Sequence, residues 1–291
     1  MSGPGGPRSG KSMNTSLRVP LLVVFAMLAF ASNSLLCRLA LRDTAIDAAS
    51  FTAIRLVSGA LMLIVLLRLR GVRPSSGGSW PMAAMLFAYA AFFSFAYRDL
   101  TAATGALLLF GAVQLTMMAW GLWQGERIAG LRLVGLAIAV GGLVVLLLPG
   151  LAAPPPLAAA LMLGAGAAWG VYSLLGKGAG EPIAATGGNF LRSVAFAALL
   201  ILTTVGHETV DYTGLAYAVV SGAITSGLGY VLWYAALPAL SATSAATIQL
   251  SVPAIAAIGG AMLLAEPITL RLLLASAAVL GGIALTIRKK G

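Results

Sequence analysis

The chain has 291 residues, of which 60% are hydrophobic and 9% are charged, and its mean hydropathy is +0.99. Soluble domains carry about 25% charged residues, so this composition excludes a water-soluble globular protein. The 18 Lys and Arg residues exceed the 8 Asp and Glu residues, which gives a net charge of +10. In so apolar a chain this excess indicates a charge asymmetry across a lipid bilayer rather than a nucleic-acid partner.

The first segment, residues 1–18, is rich in Gly, Ser, Pro and basic residues, and we predict a flexible tail there. After it, apolar runs long enough to cross about 30 Å of hydrocarbon follow one another to the end of the chain. They predict ten transmembrane helices at residues 19–41, 48–69, 80–97, 101–122, 131–148, 156–176, 184–205, 212–236, 242–264 and 268–287. The first run lacks a convincing cleavage site, so we expect it to remain in the mature protein.

The basic residues predict the orientation of these helices. An even number of crossings puts both termini on one side of the membrane. Twelve of the eighteen Lys and Arg residues lie on that side, four lie on the other, and Arg55 and Arg192 lie within predicted helices. Because cytoplasmic loops carry an excess of Lys and Arg, we expect both termini in the cytoplasm.

The chain repeats itself. At a shift of 140 residues, 96–102 overlays 236–242 and Glu126 meets Glu266, while Arg55 matches Arg192 at a shift of 137. We therefore predict two five-helix repeats, residues 19–150 and 151–291. Because five is odd, the second repeat enters the membrane from the opposite side. Inverted repeats of this kind are how many secondary transporters build two access states around one site.

The second repeat carries the motifs of a known family. These are the run GLGYVLWYAA from Gly227 to Ala236, then Leu240-Ser241-Ala242-Thr243, Pro253, Ala265-Glu266 and Gly281-Gly282. In this order and spacing they resemble the EamA-type ten-helix exporters of the drug/metabolite transporter superfamily. The first half resembles the same pattern more loosely and departs from it at Val113, which stands opposite Pro253.

The resemblance implies a multi-pass carrier of the bacterial inner membrane, commonly an exporter of small metabolites. It also implies a cavity formed mainly by helices 1, 3, 4, 6, 8 and 9, with helices 5 and 10 at the periphery. The superfamily includes amino acid exporters. The tryptophans and tyrosines of the cavity helices are compatible with its aromatic amino acid branch.

Polar and aromatic side chains at membrane depth mark the expected pathway, because they tend to face protein or water. Amides cannot satisfy both ends on their own backbone, and aromatic rings offer flat apolar faces with a polar edge. Serines and threonines have the alternative of bonding to their own helix. The predicted substrate-binding residues are Asn33, Gln114, Trp169, Tyr172, Tyr230, Tyr234, Thr247 and Gln249. Pro253 removes a backbone hydrogen bond, and we predict hinges at Pro253 and Gly111.

Charged residues within or beside the helices have two interpretations. Arg55 and Arg192 either contact an anion or carboxylate, or tie their helices to backbone carbonyls or extend toward an interface, and we favour the structural tie. Glu126 and Glu266 are expected to cap helix starts. No acidic residue lies convincingly in the middle of a helix. Because ion-driven carriers usually need such a group, we favour facilitated diffusion or exchange.

The fifth and tenth predicted helices hold two glycine pairs, Gly141-Gly142 and Gly281-Gly282. Small residues allow helices to pack closely in membranes, so we assign these pairs to the scaffold. A single cysteine, Cys37, and a single histidine, His207, permit no internal disulfide and no multi-histidine metal centre. We expect no cofactor, no metal and no enzymatic activity.

The sequence thus predicts an all-α membrane protein with ten transmembrane helices in two inverted five-helix repeats. Its predicted function is alternating-access export of small, largely apolar metabolites, with neutral or aromatic amino acids first. Export of drugs or nucleoside-like metabolites is the alternative within the fold. A non-transporting scaffold or lipid-binding protein is the alternative outside transport. The expected partners are a small-molecule substrate and the lipid bilayer; the oligomeric state stays open and is compatible with a monomer.

Overall fold

The structure is a computed structural model that describes residues 12–73, 77–125, 130–150, 153–176, 181–206, 208–240 and 242–287. Glu126, His207 and residues 1–11 of the predicted tail lie outside this part of the chain. The described residues form ten apolar helices. These are α1 (Ser12–Asp43), α2 (Ala48–Leu69), α3 (Trp80–Ala96), α4 (Ala102–Trp123), α5 (Leu131–Leu147), α6 (Pro156–Leu175), α7 (Pro182–Thr203), α8 (Tyr212–Ala239), α9 (Ala242–Gln249 and Ser251–Leu264) and α10 (Leu270–Ile287).

The predicted all-α fold with ten apolar helices is confirmed. Eight of the helices are long and apolar enough to cross a membrane, and the two shorter ones, α3 and α5, have 17 residues each. Two details differ from the prediction. Helix α1 begins at Ser12, inside the segment predicted as a tail. Helix α9 is interrupted at Leu250, three residues before Pro253, whose missing N–H leaves the carbonyl of Gln249 without its usual helical partner.

Side-chain caps fix where several helices start. Asp47 accepts hydrogen bonds from the amides of Ala49 and Ser50 at the start of α2. Ser79, Thr101, Glu181 and Asp211 cap α3, α4, α7 and α8 in the same way. Each cap satisfies amides that have no partner within the helix, so the polar residues between the apolar runs set the helix boundaries.

The helices pack in a pattern that treats the two halves of the chain alike. Helix α2 packs against α7 and α5 against α10, so each of these helices meets its counterpart from the other half. The other contacts come in matched pairs: α3 with α6 and α8 with α1, then α4 with α6 and α9 with α1. Such pairing is what a two-fold relation between the halves requires.

The contact between α5 and α10 uses one glycine of each pair. A Cβ on Gly142 would lie 2.8 Å from the Ala278 side chain, and a Cβ on Gly282 would lie 2.5 Å from the carbonyl oxygen of Gly135. Gly141 and Gly281 have nothing within 4 Å of the same position. The scaffold assignment therefore holds for Gly142 and Gly282, whereas Gly141 and Gly281 point away from the contact.

Candidate functional site

A large cavity of about 360 Å³ lies among α3, α4, α6, α7, α8 and α9. Its lining residues are Met82, Val113, Gln114, Met117, Trp169, Tyr172, Ser173, Gly176, Pro182, Ala185, Thr186, Tyr230, Trp233, Tyr234, Leu237, Ala245 and Gln249. Met82, Gly176, Pro182 and Leu237 lie at the helix ends on the face of the bundle that also holds both termini, which we call the terminus face. The large cavity thus reaches that face.

A smaller chamber of about 30 Å³, the inner chamber, lies deeper in the bundle. Its lining residues are Phe30, Asn33, Ser34, Tyr89, Phe93, Leu109, Phe110, Trp169, Thr225, Tyr230 and Gln249. Trp169, Tyr230 and Gln249 line both spaces and form a partition between them. One water molecule needs about 10–15 Å³ measured in this way, so the inner chamber has room for a small chemical group rather than a whole metabolite.

Aromatic rings form the walls around the partition. The ring of Trp169 stacks on Tyr172, with a centroid distance of 5.2 Å and an interplanar angle of 20°. The same indole lies 4.9 Å from the Tyr89 ring and 5.2 Å from the Tyr230 ring. These distances fall within the range of favourable aromatic pairs. Trp169 therefore joins the walls of the two spaces and presents flat apolar surface to both.

A buried polar network borders the inner chamber. The Asn33 side-chain oxygen accepts hydrogen bonds from the hydroxyls of Ser221 at 2.6 Å and Thr225 at 3.2 Å. Its side-chain nitrogen donates to the Tyr89 hydroxyl at 3.4 Å. Both partners from α8 lie in a π-helical stretch, Ser221–Leu228, and such stretches are frequent at functional sites. The network joins α1, α3 and α8 beside the inner chamber.

Arg55 lies behind the chamber wall and is 2% exposed. Its Nε donates to the Ser226 hydroxyl at 3.2 Å, and its Nη2 donates to the Tyr89 hydroxyl at 3.1 Å. The guanidinium carbon lies 5.2 Å from the ring centroid of Tyr89 and 4.9 Å from that of Phe93. Arg55 Nη1 is buried without a hydrogen-bond partner among the described residues. The predicted tie to backbone carbonyls is therefore wrong for Arg55, because hydroxyls and aromatic rings surround it.

Arg192 does form the predicted tie. It is half-buried, and its Nη1 donates to the carbonyl oxygens of Gly77 at 2.8 Å and Gly188 at 2.9 Å. These contacts join α7 to the loop that precedes α3. Arg192 thus has a structural role at the terminus face, away from both spaces.

The face opposite the termini is closed by a charged cluster. Arg38 Nε donates to Glu266 Oε1 at 3.0 Å, and Arg38 Nη1 donates to the carbonyl oxygens of Tyr97 and Arg98. Glu266 Oε2 accepts from the amide of Ala102 at 2.8 Å. Glu266 caps a helix start as predicted, although the helix is α4 rather than its own neighbour α10. The cluster ties α1, α4 and the α9–α10 loop together.

The structure brings seven of the eight predicted substrate-binding residues to the two spaces. Gln114, Tyr172 and Tyr234 line the large cavity, Asn33 lines the inner chamber, and Trp169, Tyr230 and Gln249 line both. Thr247 lies on an exposed part of α9, outside both sets of lining residues. Of the predicted hinges, Pro253 is buried beside the interruption of α9. Gly111 faces Leu143 of α5, whose side chain would lie 3.2 Å from an added Cβ.

Several lining residues were not named from the sequence. Tyr89 and Phe93 of α3 are among them, because an aromatic residue in a uniformly apolar helix gives no sign of which way it faces. Their spacing of four residues puts them on one helix face. A second signal in the sequence was Arg55, a charge within a helix that needs neighbours such as these rings. Trp233 lines the large cavity and is 7% exposed, whereas Trp123 is 76% exposed at the end of α4, as an interfacial residue would be.

The chain is similar in sequence or in fold to several known proteins. A family model described as the EamA-like transporter family matches residues 156–288. An uncharacterised protein of Pseudomonas aeruginosa is 61% identical over 270 residues, which cover 92% of this chain and 94% of that protein. The threonine/homoserine exporter RhtA of Escherichia coli is 36% identical over 140 residues, which cover 45% of this chain and 46% of the exporter. A solved crystal structure at 20% identity has a TM-score of 0.62 and covers 92% of this chain and 95% of its own, so it shares the fold.

Proposed function

Because the chain belongs to the EamA-like transporter family of multi-pass membrane proteins, we propose that it exports neutral or aromatic amino acids as a facilitator, by alternating access. The two inverted repeats would supply the two access states. The observation that carries this proposal is the partition between the large cavity and the inner chamber. Two aromatic rings and one amide form it, those of Trp169, Tyr230 and Gln249.

The large cavity has the size and chemistry of a small-molecule site. Its volume of about 360 Å³ lies within the range of about 300–1,000 Å³ that is usual for such sites. Aromatic and aliphatic side chains dominate its lining, which also holds the tyrosine hydroxyls and the polar side chains of Gln114, Ser173, Thr186 and Gln249. An amino acid with an apolar side chain could stack its side chain on Trp169 while the amides orient its polar end.

The similarity to RhtA supports an amino acid substrate. That exporter is named for threonine and homoserine, which are small and neutral amino acids. The match covers less than half of either chain, so it supports the substrate class and not those two substrates.

One access state is proposed for this structure. With both termini in the cytoplasm, as the basic residues predict, the large cavity opens to the cytoplasm and the cluster of Arg38 and Glu266 closes the periplasmic face. Export then requires the cluster to separate while the helix ends around the large cavity close. The substrate lowers the barrier by binding the two states differently.

The lining residues favour a facilitator. Among the described residues that line the two spaces there is no Asp, Glu or His. A carrier driven by protons or sodium usually binds the coupling ion through such a group. Substrate gradients alone would then determine the direction of net transport.

Uptake into proteoliposomes tests the proposal. We expect saturable uptake of labelled phenylalanine or leucine that is indifferent to an imposed pH gradient. Trp169→Ala should lower the initial rate about tenfold, because stacking on this half-buried ring contributes on the order of 1–2 kcal/mol. Trp123→Ala is the matched control, since this exposed tryptophan lies outside both spaces.

Each other outcome counts against a named part of the proposal. Uptake that depends on the pH gradient would contradict the facilitator. Full activity of Trp169→Ala would contradict the site. If no amino acid is taken up but labelled drugs or nucleosides are, the substrate class is wrong and the alternative within the family holds. If nothing is transported and the protein only retains lipid, the scaffold alternative holds.

A further inference from the structure

Two hydrogen-bond donors beside the inner chamber, on Tyr89 and Arg55, have no acceptor among the described residues. The Tyr89 oxygen accepts from two nitrogens, Arg55 Nη2 and Asn33 Nδ2. Both nitrogens are donors only, so the tyrosine's own O–H hydrogen is left for another acceptor. Among the described residues the structure gives it none.

Arg55 adds a second unused donor to the same wall. Its Nη1 is buried and has no hydrogen-bond partner among the described residues. The guanidinium lies directly behind the two rings, Tyr89 and Phe93, that line the inner chamber. One hydroxyl, that of Tyr89, separates its Nη2 from the chamber.

The charge of Arg55 also lacks a permanent counterion. In the part of the chain that the structure describes, its partners are the Ser226 hydroxyl, the Tyr89 hydroxyl and two aromatic faces, and no carboxylate pairs with it. A buried charge is costly unless it is paired and hydrogen-bonded. A negative charge in the inner chamber would offset this cost through the Tyr89 hydroxyl, which lines the chamber and already binds Arg55 Nη2.

A glycine in α8, Gly222, allows this helix to pack closely against α2 beside Arg55. A Cβ on Gly222 would lie 2.1 Å from the carbonyl oxygen of Arg55 and 2.0 Å from the Ser58 hydroxyl, so only glycine lets the π-helical stretch approach α2 here. That approach brings the Ser226 hydroxyl within hydrogen-bond distance of Arg55 Nε, at 3.2 Å.

We propose that Arg55, with the Tyr89 hydroxyl, is the carboxylate-recognition group of this transporter. The substrate carries a carboxylate, which enters the inner chamber past the partition while its side chain stays against Trp169 in the large cavity. The chamber volume of about 30 Å³ suits a carboxylate. This inference rests on the proposed function for the identity of the transported molecule, but it makes a separate claim: the site selects an anion over its neutral isostere.

A pair of ligands that differ only in charge tests the claim. 3-Phenylpropionate and 3-phenylpropionamide share a skeleton, and each is used to compete with labelled phenylalanine in proteoliposomes and to raise the unfolding temperature of the purified protein in detergent. For the wild type we expect the acid to act at least about tenfold more strongly than the amide, the factor that one charge-assisted hydrogen bond supplies.

The variants show whether Arg55 is the cause. Arg55→Gln should reduce the ratio of acid to amide to within about twofold, because the charge is gone. Arg55→Lys should keep an intermediate ratio, since lysine retains the charge as a point donor without the planar fork. Arg192→Gln, at the equivalent position of the other repeat, should keep the wild-type ratio. The ratio does not depend on how much protein folds.

The outcomes separate this inference from the proposed function. Equal action of acid and amide on the wild type overturns the inference, as does a wild-type ratio in Arg55→Gln. Phenylalanine uptake without any acid preference leaves the proposed function standing and refutes the role of Arg55. An acid preference that depends on Arg55, without transport of any amino acid, refutes the proposed substrate and keeps the carboxylate group. Failure of both ligands to act in either assay also overturns the inference.

Discussion

Arg55 and Arg192 occupy equivalent places in the two repeats, yet their surroundings differ. Arg192 is half-buried and donates to two backbone carbonyls at the terminus face, Gly77 and Gly188. Arg55 is buried and meets hydroxyls and aromatic faces, and one of its nitrogens is left unused among the described residues. The two equivalent arginines thus differ in what they bind: Arg192 ties α7 to a loop, whereas Arg55 is the one that we propose takes part in carboxylate recognition.

The difference has a structural cause. Arg192 reaches a loop, 77–79, whose carbonyls and amides are accessible because no helix continues there. Arg55 lies against the π-helical stretch of α8, where Gly222 allows the two backbones to come close. At this approach the groups that Arg55 meets are the Ser226 and Tyr89 hydroxyls and two aromatic faces, whereas Arg192 meets a loop carbonyl. Predictions that disturb the two surroundings separately test this comparison.

The largest effect is expected from substitution of the glycines that face the two arginines. Gly222→Ala puts a methyl group 2.1 Å from the Arg55 carbonyl oxygen, between two helices that cannot easily move. We expect a loss of about 3 kcal/mol in stability, the upper range for overpacking, together with loss of transport. Gly188→Ala puts a methyl group 2.0 Å from the Gly77 carbonyl oxygen. Because Gly77 lies in a loop that can shift, we expect a loss of about 1 kcal/mol in stability and normal transport.

Unfolding temperatures in detergent and initial uptake rates measure both quantities. Gly281→Ala is the control, because nothing lies within 4 Å of its added Cβ. Equal loss of transport in Gly222→Ala and Gly188→Ala would show that the two surroundings are functionally alike, and the comparison would fail.

A smaller effect is expected at the closed face. The carboxylate of Glu266 holds both Arg38 and the amide of Ala102. Glu266→Ala removes a buried partner of each, which costs on the order of 1–3 kcal/mol and shifts the population toward the state that is open on this face. The native Cys37, which is buried beside Arg38 in α1, should then react with an impermeant maleimide about three- to tenfold faster.

Glu266→Gln should give an intermediate rate, since the amide oxygen can still accept from Ala102. Asp43→Ala is the control: this carboxylate pairs with Arg42 near the same face but is largely exposed. An unchanged reaction rate of Cys37 in Glu266→Ala would mean that the cluster does not keep this face closed.

The sequence was sufficient for the helices because their cause is local. Runs of apolar residues and the caps between them specify where a helix can cross a membrane and where it begins, and the boundaries of α2 were predicted to the residue. The interruption of α9 was not predicted at Leu250, since its position depends on how the helix packs around Pro253 as well as on the missing N–H.

The site was predictable only where side-chain chemistry restricts the environment. Amides and a tryptophan at membrane depth need particular neighbours, so Asn33, Trp169 and Gln249 could be named. A residue such as Tyr89 could not, because its role depends on which α3 face meets α2 and α6. The different surroundings of Arg55 and Arg192 were equally hidden, since they depend on the segments that pack against each arginine.

The smallest effect is expected at the starts of α2 and α7, the helices that carry the two arginines. Asp47 caps α2 and also accepts from the amide of Thr209 at 2.9 Å, whereas Glu181 caps α7 through the amide of Ala184. Partial burial alone would raise the pKa of Asp47, but the hydrogen bonds from Ser50, Thr209 and Ala49 outweigh it and hold that pKa below its ordinary value. A carboxyl group of this kind stabilises the fold above its ordinary pKa and ceases to do so as the pH falls through the lowered value.

We therefore expect the stabilisation from Asp47 to be complete at neutral pH and to be lost below about pH 4. Asp47→Ala should cost about 1 kcal/mol at pH 7, and Asp47→Asn less, because an amide oxygen also caps a helix. Unfolding temperatures of the wild type and Asp47→Asn, measured in detergent from pH 7 down to about 2.5, should converge on acidification as the aspartate gains its proton. Glu181→Gln is the control from the other repeat, since the Glu181 carboxylate accepts from the amide of Ala184 at the start of its own helix. If the two Asp47 curves stay parallel throughout, protonation of Asp47 does not weaken the start of α2, and the two arginine-bearing helices are anchored alike.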